Sequence, residues 1–319
     1  MPEDMTSPLT DQPLTDQHLT DQPLSNKTSS PMTEPGPEHI VARVEAQMRL
    51  RIDAPCGGGT MPFRIWGDGE ALVLCHGGSG SWTHWLRNIE TLARSYRVIV
   101  PDLPGLGDAA EIAMPYSPRS AAAVVHQGLQ RVLAANEPVH FAAFSWGCTT
   151  AAQLSVWRAQ QTRSLLLVGP ASLGEYPRPA IAPLRKRSRS MSTDELLEVS
   201  RYNLQQLMIH NADAIDALAI HLQLTNTAKA RFKSPQFVRT TAVLDAVRES
   251  TTPLKVLYGE FDQPSYPHID PRRQRLLEAR ADMEFELVPD IGHWSQYEWA
   301  GFNNCLLSWL QRHRRQVGL

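Results

Sequence analysis

The chain has 319 residues, of which 42% are hydrophobic and 20% charged, with a formal net charge of −2. This length and apolar fraction supply a core for one large α/β domain or two ordinary ones, and they exclude disorder of the whole chain. The near-neutral charge argues against nucleic acid as the main partner, no apolar run reaches the roughly 18 residues of a membrane span, and the polar, acidic N-terminus does not read as a secretory signal.

Residues 1–38 are low in complexity. Leu9-Thr10-Asp11-Gln12-Pro13 recurs as Leu14-Thr15-Asp16-Gln17-His18 and as Leu19-Thr20-Asp21-Gln22-Pro23. The period is too short for a solenoid, and the proline blocks a long helix. Few large apolar side chains offset the ordering entropy, so the segment is expected to be a disordered tail, with partner binding as the alternative.

Beyond the tail, Arg49–Asp53 and Pro62–Trp66 read as strands, the second closed by a Gly67-Asp68-Gly69 turn. Leu72–Cys75 and Val98–Val100 are compact apolar strands, and Trp85, Ile89 and Leu92 between them follow helical spacing. Val139–Phe144 is a strand running straight into a helix over Gly147–Gln160; Leu165–Val168, Lys255–Tyr258 and Phe285–Val288 complete the strands. Continuous apolar strands separated by helices predict a mostly parallel sheet covered on both faces.

The alternation breaks between 171 and 250. Ser192-Thr193-Asp194-Glu195 is a capping-box start, followed by a helical face of Leu196, Leu197, Ser200, Leu204, Leu207 and Met208. Ile215, Leu218, Ala219 and Leu222 mark a second face. The segment is expected to be a helical cap inserted into a core made of 39–170 and 251–319. Arg185-Lys186-Arg187-Ser188-Arg189 at its start reads as a solvated loop.

The strongest chemical signal is Ala143-Phe144-Ser145-Trp146-Gly147, between a strand and a helix. A nucleophile elbow needs small residues two before and two after the nucleophile, because its strained turn lies against the neighbouring strand and helix; Ala143 stands where glycine is usual. Ser145 then faces the carboxyl edge of the sheet. A serine hydroxyl needs a base, and His293 in Asp290-Ile291-Gly292-His293-Trp294 follows the last strand on a loop that Gly292 lets turn tightly. Asp262, at the tip of Tyr258-Gly259-Glu260-Phe261-Asp262, is preferred to Glu260 and Glu175 as the group orienting the imidazole. Leu74-Cys75-His76-Gly77-Gly78-Ser79-Gly80 ends an early strand in a glycine-rich loop. The backbone N–H groups of Gly78 and Trp146 are the expected oxyanion donors. No Lys-Ser/Thr follows these glycines and they lack GxGxxG spacing, so neither phosphate cradling nor dinucleotide binding is expected.

These motifs, with Asp102-Leu103-Pro104-Gly105-Leu106-Gly107, resemble the α/β-hydrolase superfamily from about residue 45 to the C-terminus. The resemblance implies the α/β-hydrolase fold with a cap, and makes the Asp102–Gly107 segment a structural turn. Serine as nucleophile speaks against the haloalkane dehalogenase and epoxide hydrolase branches, which use aspartate. Gly292-His293-Trp294-Ser295-Gln296-Tyr297-Glu298 and Gly169-Pro170 with Leu173-Gly174 are similar to the meta-cleavage-product hydrolases, which cut carbon–carbon bonds in dienoate diketones. That resemblance implies that Trp294 lines the substrate site. Two features depart from it. The oxyanion loop reads Gly78-Ser79-Gly80-Ser81-Trp82 where the family carries an extra Gly-Pro-Gly-Ala element, and the cap arginine that the family uses on the substrate carboxylate falls near Thr225 or Asn226, with Arg231 as a candidate substitute.

The expected function is that of a serine hydrolase, esterase-like, acting on a small ester, amide or similar carbonyl through an acyl-enzyme. Carbon–carbon bond hydrolysis, acyl transfer and non-catalytic binding on the same scaffold are the alternatives. Trp82, Trp294, Leu204 and Met208 are the expected pocket residues, under an apolar roof that takes an apolar acyl substrate. No cofactor or metal is implied, neither nucleic acid nor membrane is an expected partner, and a homo-oligomer is left open. Cys56, Cys75, Cys148 and Cys305 show no metal-type spacing and read as reduced thiols of a cytosolic, cytoplasmic protein.

Overall fold

A computed structural model describes residues 36–314 apart from 178–181 and 189. Most of the expected tail, 1–35, and Arg189 of the basic run therefore lie outside the described residues. The tail expectation ran to 38, yet α1 (Pro37–Ala46) already starts at Pro37, whose fixed φ and missing N–H suit a first helical position. Its Val44 is buried and its Val44 carbonyl accepts from Trp66 Nε1 at 2.7 Å, which ties the helix to the sheet.

The strands are β1 (Leu50–Cys56), β2 (Gly59–Trp66), β3 (Glu70–Cys75), β4 (Tyr96–Pro101), β5 (Val139–Phe144), β6 (Thr162–Val168), β7 (Leu254–Gly259) and β8 (Glu284–Val288). They form one sheet in the order β1-β2-β4-β3-β5-β6-β7-β8. The β1–β2 and β2–β4 pairs are antiparallel and the others parallel. Side chains alternate between two buried clusters as a pleated strand requires: Val73 and Cys75 of β3 face one, Leu72 and Leu74 the other. Helices α2 (Leu86–Leu92), α3 (Pro118–Leu129), α4 (Gly147–Trp157), α8 (Ile269–Ala279) and α10 (Phe302–Arg312) cover the two faces, with the short α9 (Ser295–Glu298) before the last.

Between β6 and β7 lie α5 (Thr193–Leu207), α6 (Ala217–Lys229) and α7 (Ala242–Glu249). The α5 start has the expected reciprocal cap, Glu195 N–H to Ser192 Oγ and Ser192 N–H to the Glu195 carboxylate. Leu204, Leu218 and Leu222 are buried in one cluster with Val44, whereas Leu197 of the expected apolar face is 41% exposed. The third helix behaves differently. Val243, Leu244, Ala246 and Val247 of α7 share the buried cluster of Cys148 and Ala151 in α4, and Ser250 Oγ meets Ser155 Oγ at 3.0 Å. Helix α7 thus flanks the sheet rather than roofing it.

Asp102 has a structural place at the end of β4. Its buried carboxylate accepts from Arg64 Nη1 at 2.9 Å, Trp82 N–H at 2.8 Å and Asp108 N–H at 3.0 Å.

Candidate active site

Every residue of β5 is buried, and only two residues separate it from α4, so the chain reverses sharply at Ser145 and Trp146. Ser145 takes φ of +50°, which an L-residue adopts only under constraint. Its N–H donates to the Val168 carbonyl at 2.8 Å, and a Cβ at Gly147 would lie 2.5 Å from the Cys75 oxygen and 2.6 Å from the His76 oxygen. Glycine is therefore demanded at 147. Ala143 pairs with Cys75 and Leu167 within the sheet and is accommodated there as a buried methyl.

The loops after β7 and β8 bring Asp262 to His293. Nδ1 of His293 donates to Asp262 Oδ2 at 2.7 Å, with both side chains buried. The Asp262 loop is fixed by Ser265 and Tyr266 N–H groups donating to the Asp262 carbonyl at 2.8 and 2.7 Å. Neither competing carboxylate is so placed: Glu260 accepts from Asp290 N–H at 3.2 Å, and Glu175 is exposed. Gly169, at φ +55°, packs on the pair; a Cβ there would lie 2.7 Å from Asp262 Oδ2 and 2.8 Å from His293 Nδ1.

The glycine-rich loop is braced by two histidines that the sequence reading did not single out. Nε2 of His76 accepts from Leu103 N–H at 2.9 Å, which leaves Nδ1 to donate to the Gly77 carbonyl at 2.8 Å. His84 Nδ1 accepts from Gly77 N–H at 3.2 Å. Burial holds both imidazoles below their usual pKa, His84 far below, with His76 and His293 nearby adding to its shift. Gly77 N–H is thereby occupied. The N–H groups of Gly78 and Trp146 donate to no acceptor among the described residues. The Trp146 ring lies against Phe232 and Phe237, at 4.9 and 5.6 Å between centroids.

Ser145, His293, Gly78 and Met208 line one cavity of about 880 Å³. Three expected pocket residues do not. Trp82 is buried against Trp66 and beneath Arg64. Trp294 has no exposed surface: it stacks on Tyr297 at 4.3 Å and its Nε1 donates to the His84 carbonyl at 3.1 Å. Leu204 is likewise fully buried among the helices. The leucine-rich faces of α5 and α6 are used in packing, so the roof presents Ser200, Asn203, Gln223 and Thr227 beside Leu207 and Met208. Asn226, near the family's cap-arginine position, is tied to Ser81 Oγ at 2.7 Å and Thr83 Oγ1 at 3.0 Å. Arg231 pairs with Glu111 at 3.3 Å outside the cavity lining. Arg185, Arg187, Arg239 and Arg272 do line it, and no Asp or Glu does among the described residues.

A family model described as the alpha/beta hydrolase family matches residues 72–304. The 2-hydroxy-6-oxo-6-phenylhexa-2,4-dienoate hydrolase of Burkholderia cepacia is 26% identical over 76% of this chain and 88% of its own length. A 2-hydroxy-6-oxononadienedioate/2-hydroxy-6-oxononatrienedioate hydrolase of Dechloromonas aromatica is 24% identical over 89% of this chain and 98% of its own. Among solved structures, a putative aryl esterase from Burkholderia cenocepacia superposes with TM-score 0.68 at 21% identity, covering 83% of this chain and 99% of that one. A meta-cleavage product hydrolase from Pseudomonas fluorescens does so with TM-score 0.66 at 17% identity, covering 84% and 100%. Among the described residues no helix is long and apolar enough to cross a membrane.

Proposed function

The chain belongs to the alpha/beta hydrolase family, and from that membership we propose that it hydrolyses a small ester, amide or similar carbonyl substrate through an acyl-enzyme on Ser145. The observation that carries this is the buried Asp262–His293 hydrogen bond at 2.7 Å opening on the same cavity as Ser145. With Nδ1 committed to Asp262, Nε2 is the ring nitrogen left to take the serine proton. Ser145 Oγ attacks the carbonyl carbon, and the electron pair displaced onto oxygen is stabilised by Gly78 and Trp146 N–H groups. His293 returns the proton to the leaving group, and water repeats the sequence on the acyl-enzyme. Acyl transfer uses the same groups with another acceptor and is separated by product analysis. The free thiols, three of them buried, support a cytoplasmic location. Turnover of 4-nitrophenyl esters of graded chain length, lost in both Ser145→Ala and His293→Ala, tests the proposal; retention in either variant overturns it.

A second reading, carbon–carbon bond hydrolysis of a dienoate, draws support from the relatives' activities and from the cavity's charge. Arg272 is 8% exposed, stacks over Tyr176 at 4.4 Å, and has a buried Nε without a partner among the described residues. A buried guanidinium without a counter-charge is costly, and a substrate carboxylate supplies one. Cleavage of a 2-hydroxy-6-oxo-dienoate faster than that of any nitrophenyl ester, reduced in Arg272→Met, selects this reading; no cleavage dismisses it.

A further inference from the structure

The segment after α6 covers the expected oxyanion site. The N–H groups of Arg231 and Phe232 both donate to the Gly105 carbonyl, at 2.9 and 3.0 Å. Phe232 and Phe237 then bracket the segment by packing on the Trp146 ring, and the Phe237 carbonyl accepts from Ser172 Oγ at 2.9 Å. Between these two anchors stands Ser234, the first residue of a 3-10 turn, Ser234–Phe237.

Ser234 is only 9% exposed, and its hydroxyl makes no hydrogen bond to the protein among the described residues. The oxygen itself is not sealed off inside the protein, so its O–H is free to donate to a molecule in the cavity. What it faces is the cavity, whose wall it shares with Gly78 and Ser145. Its position is narrower still. A Cβ built on Gly78 would collide with Ser234 Oγ and lie 3.7 Å from Trp146 Cβ. The hydroxyl therefore caps Gly78 on the side turned toward Trp146, beside the two backbone donors assigned to the oxyanion.

We infer that Ser234 Oγ–H is a third donor to the developing oxyanion, delivered from the segment above the sheet rather than from the elbow or the glycine loop. The inference rests on acyl transfer through Ser145. When the Ser145 Oγ–carbon bond forms, the carbonyl electron pair moves onto oxygen and the serine proton moves to His293 Nε2. Ser234 keeps its own proton and shares it with that oxygen. When the intermediate collapses, the carbonyl re-forms, the leaving group departs with the proton from His293, and Ser234 returns to its ground state unchanged. A donor clamped on both sides reorganises little during this step, which is where such a contact is most effective. A side chain at 78 would push this hydroxyl from its place.

The test uses the full chain and a fluorophosphonate probe, whose reaction with serine also builds charge on an oxygen in the same site. Ser145 Oγ bonds to phosphorus, its proton passes to His293 Nε2, and fluoride leaves. Ser234→Ala is expected to slow phosphonylation of Ser145 by about 100-fold while reversible binding of the probe changes little. Ser234→Cys fills the same space with a weak donor and should be slow as well, whereas Ser234→Thr, which keeps the hydroxyl, should recover most of the rate. Should the alanine variant fail to fold, the cysteine and threonine variants carry the comparison alone. Labelling of Ser234→Ala or Ser234→Cys at the wild-type rate overturns the inference and leaves Ser145 as nucleophile. A wild-type chain that is not labelled at Ser145 overturns both.

Discussion

Gly169 lies directly against Asp262. The glycine follows β6 at φ +55°, and the carboxylate hydrogen-bonded to His293 occupies the space in which a Cβ would stand, with Oδ2 only 2.7 Å from that point. One backbone position thus sets how closely β6 and the Asp262 loop approach. An alanine here meets two penalties, left-handed backbone costing about 1 kcal/mol and displacement of the Asp262–His293 pair. Gly169→Ala should fold with a modest loss of melting temperature and lose roughly 100-fold in kcat. Unaltered kcat in a folded variant would show that the pair tolerates movement.

The Arg64–Asp102 contact is expected to be a matter of stability and not of chemistry. Arg64 is buried and reaches Asp102 at 2.9 Å and Asp108 at 2.5 Å; these two acids raise its pKa even though burial opposes them. Arg64→Met leaves the Asp102 charge buried without its partner, a change that costs about 3–5 kcal/mol. Urea unfolding should show that loss, while kcat of the fraction that remains folded stays near wild type.

Acid should weaken the fold through His84. Its nitrogen accepts from Gly77 N–H, so the folded state needs the neutral ring, and its pKa lies well below the ordinary value of about 6.5. Above that pH both folded and unfolded states hold a neutral ring, and His84 adds no dependence on pH. As the pH falls below it, the unfolded chain takes up a proton that the folded chain refuses, and stability declines by at most about 1.4 kcal/mol per pH unit. His76 shifts in the same direction. His84→Gln keeps an acceptor for Gly77 and removes one titrating group, so its unfolding free energy should fall less steeply between pH 6.5 and 5. Equal slopes for both proteins would remove His84 from the account.

Met208 and Leu204 lie within one turn of each other yet should respond differently. Met208 lines the cavity, so Met208→Ala is expected to change the preferred acyl length at little cost in stability. Leu204 is fully buried away from it, and Leu204→Ala should lose about 2–5 kcal/mol with its substrate profile intact. Trp294→Phe belongs with Leu204. Parallel shifts in chain-length preference in all three would return Trp294 and Leu204 to the pocket.

The same contrast shows what could be read from residue order. The elbow was legible because strand, small residue, serine and glycine are contiguous, and Val139–Phe144 is a strand with those bounds. Asp262 and His293 were legible because each lies on the loop after a recognisable strand, β7 and β8, even though Lys255 and Glu286 interrupt the apolar runs. Side-chain direction was not: Trp294 is next to His293 in sequence, but the turn sends one into the cavity and the other onto Tyr297. Ser234 and Arg272 carried no local signal, since one is a serine in a polar loop and the other belongs to an arginine pair on a polar helix. Only the approach of distant elements, 78 to 234 and 176 to 272, gives them a place. Helix α7 falls inside the 171–250 segment read as cap because that segment is bounded only by the strands on either side of it; its packing partner is α4.

The central claim, that Ser145 is the nucleophile activated by His293 and Asp262, is tested most directly by treating the protein with a fluorophosphonate and locating the adduct by peptide mass spectrometry. A single adduct on Ser145, absent in Ser145→Ala and strongly slowed in His293→Ala and Asp262→Asn, is the predicted result. An adduct on any other residue, or labelling of Ser145→Ala at the wild-type rate, would contradict it.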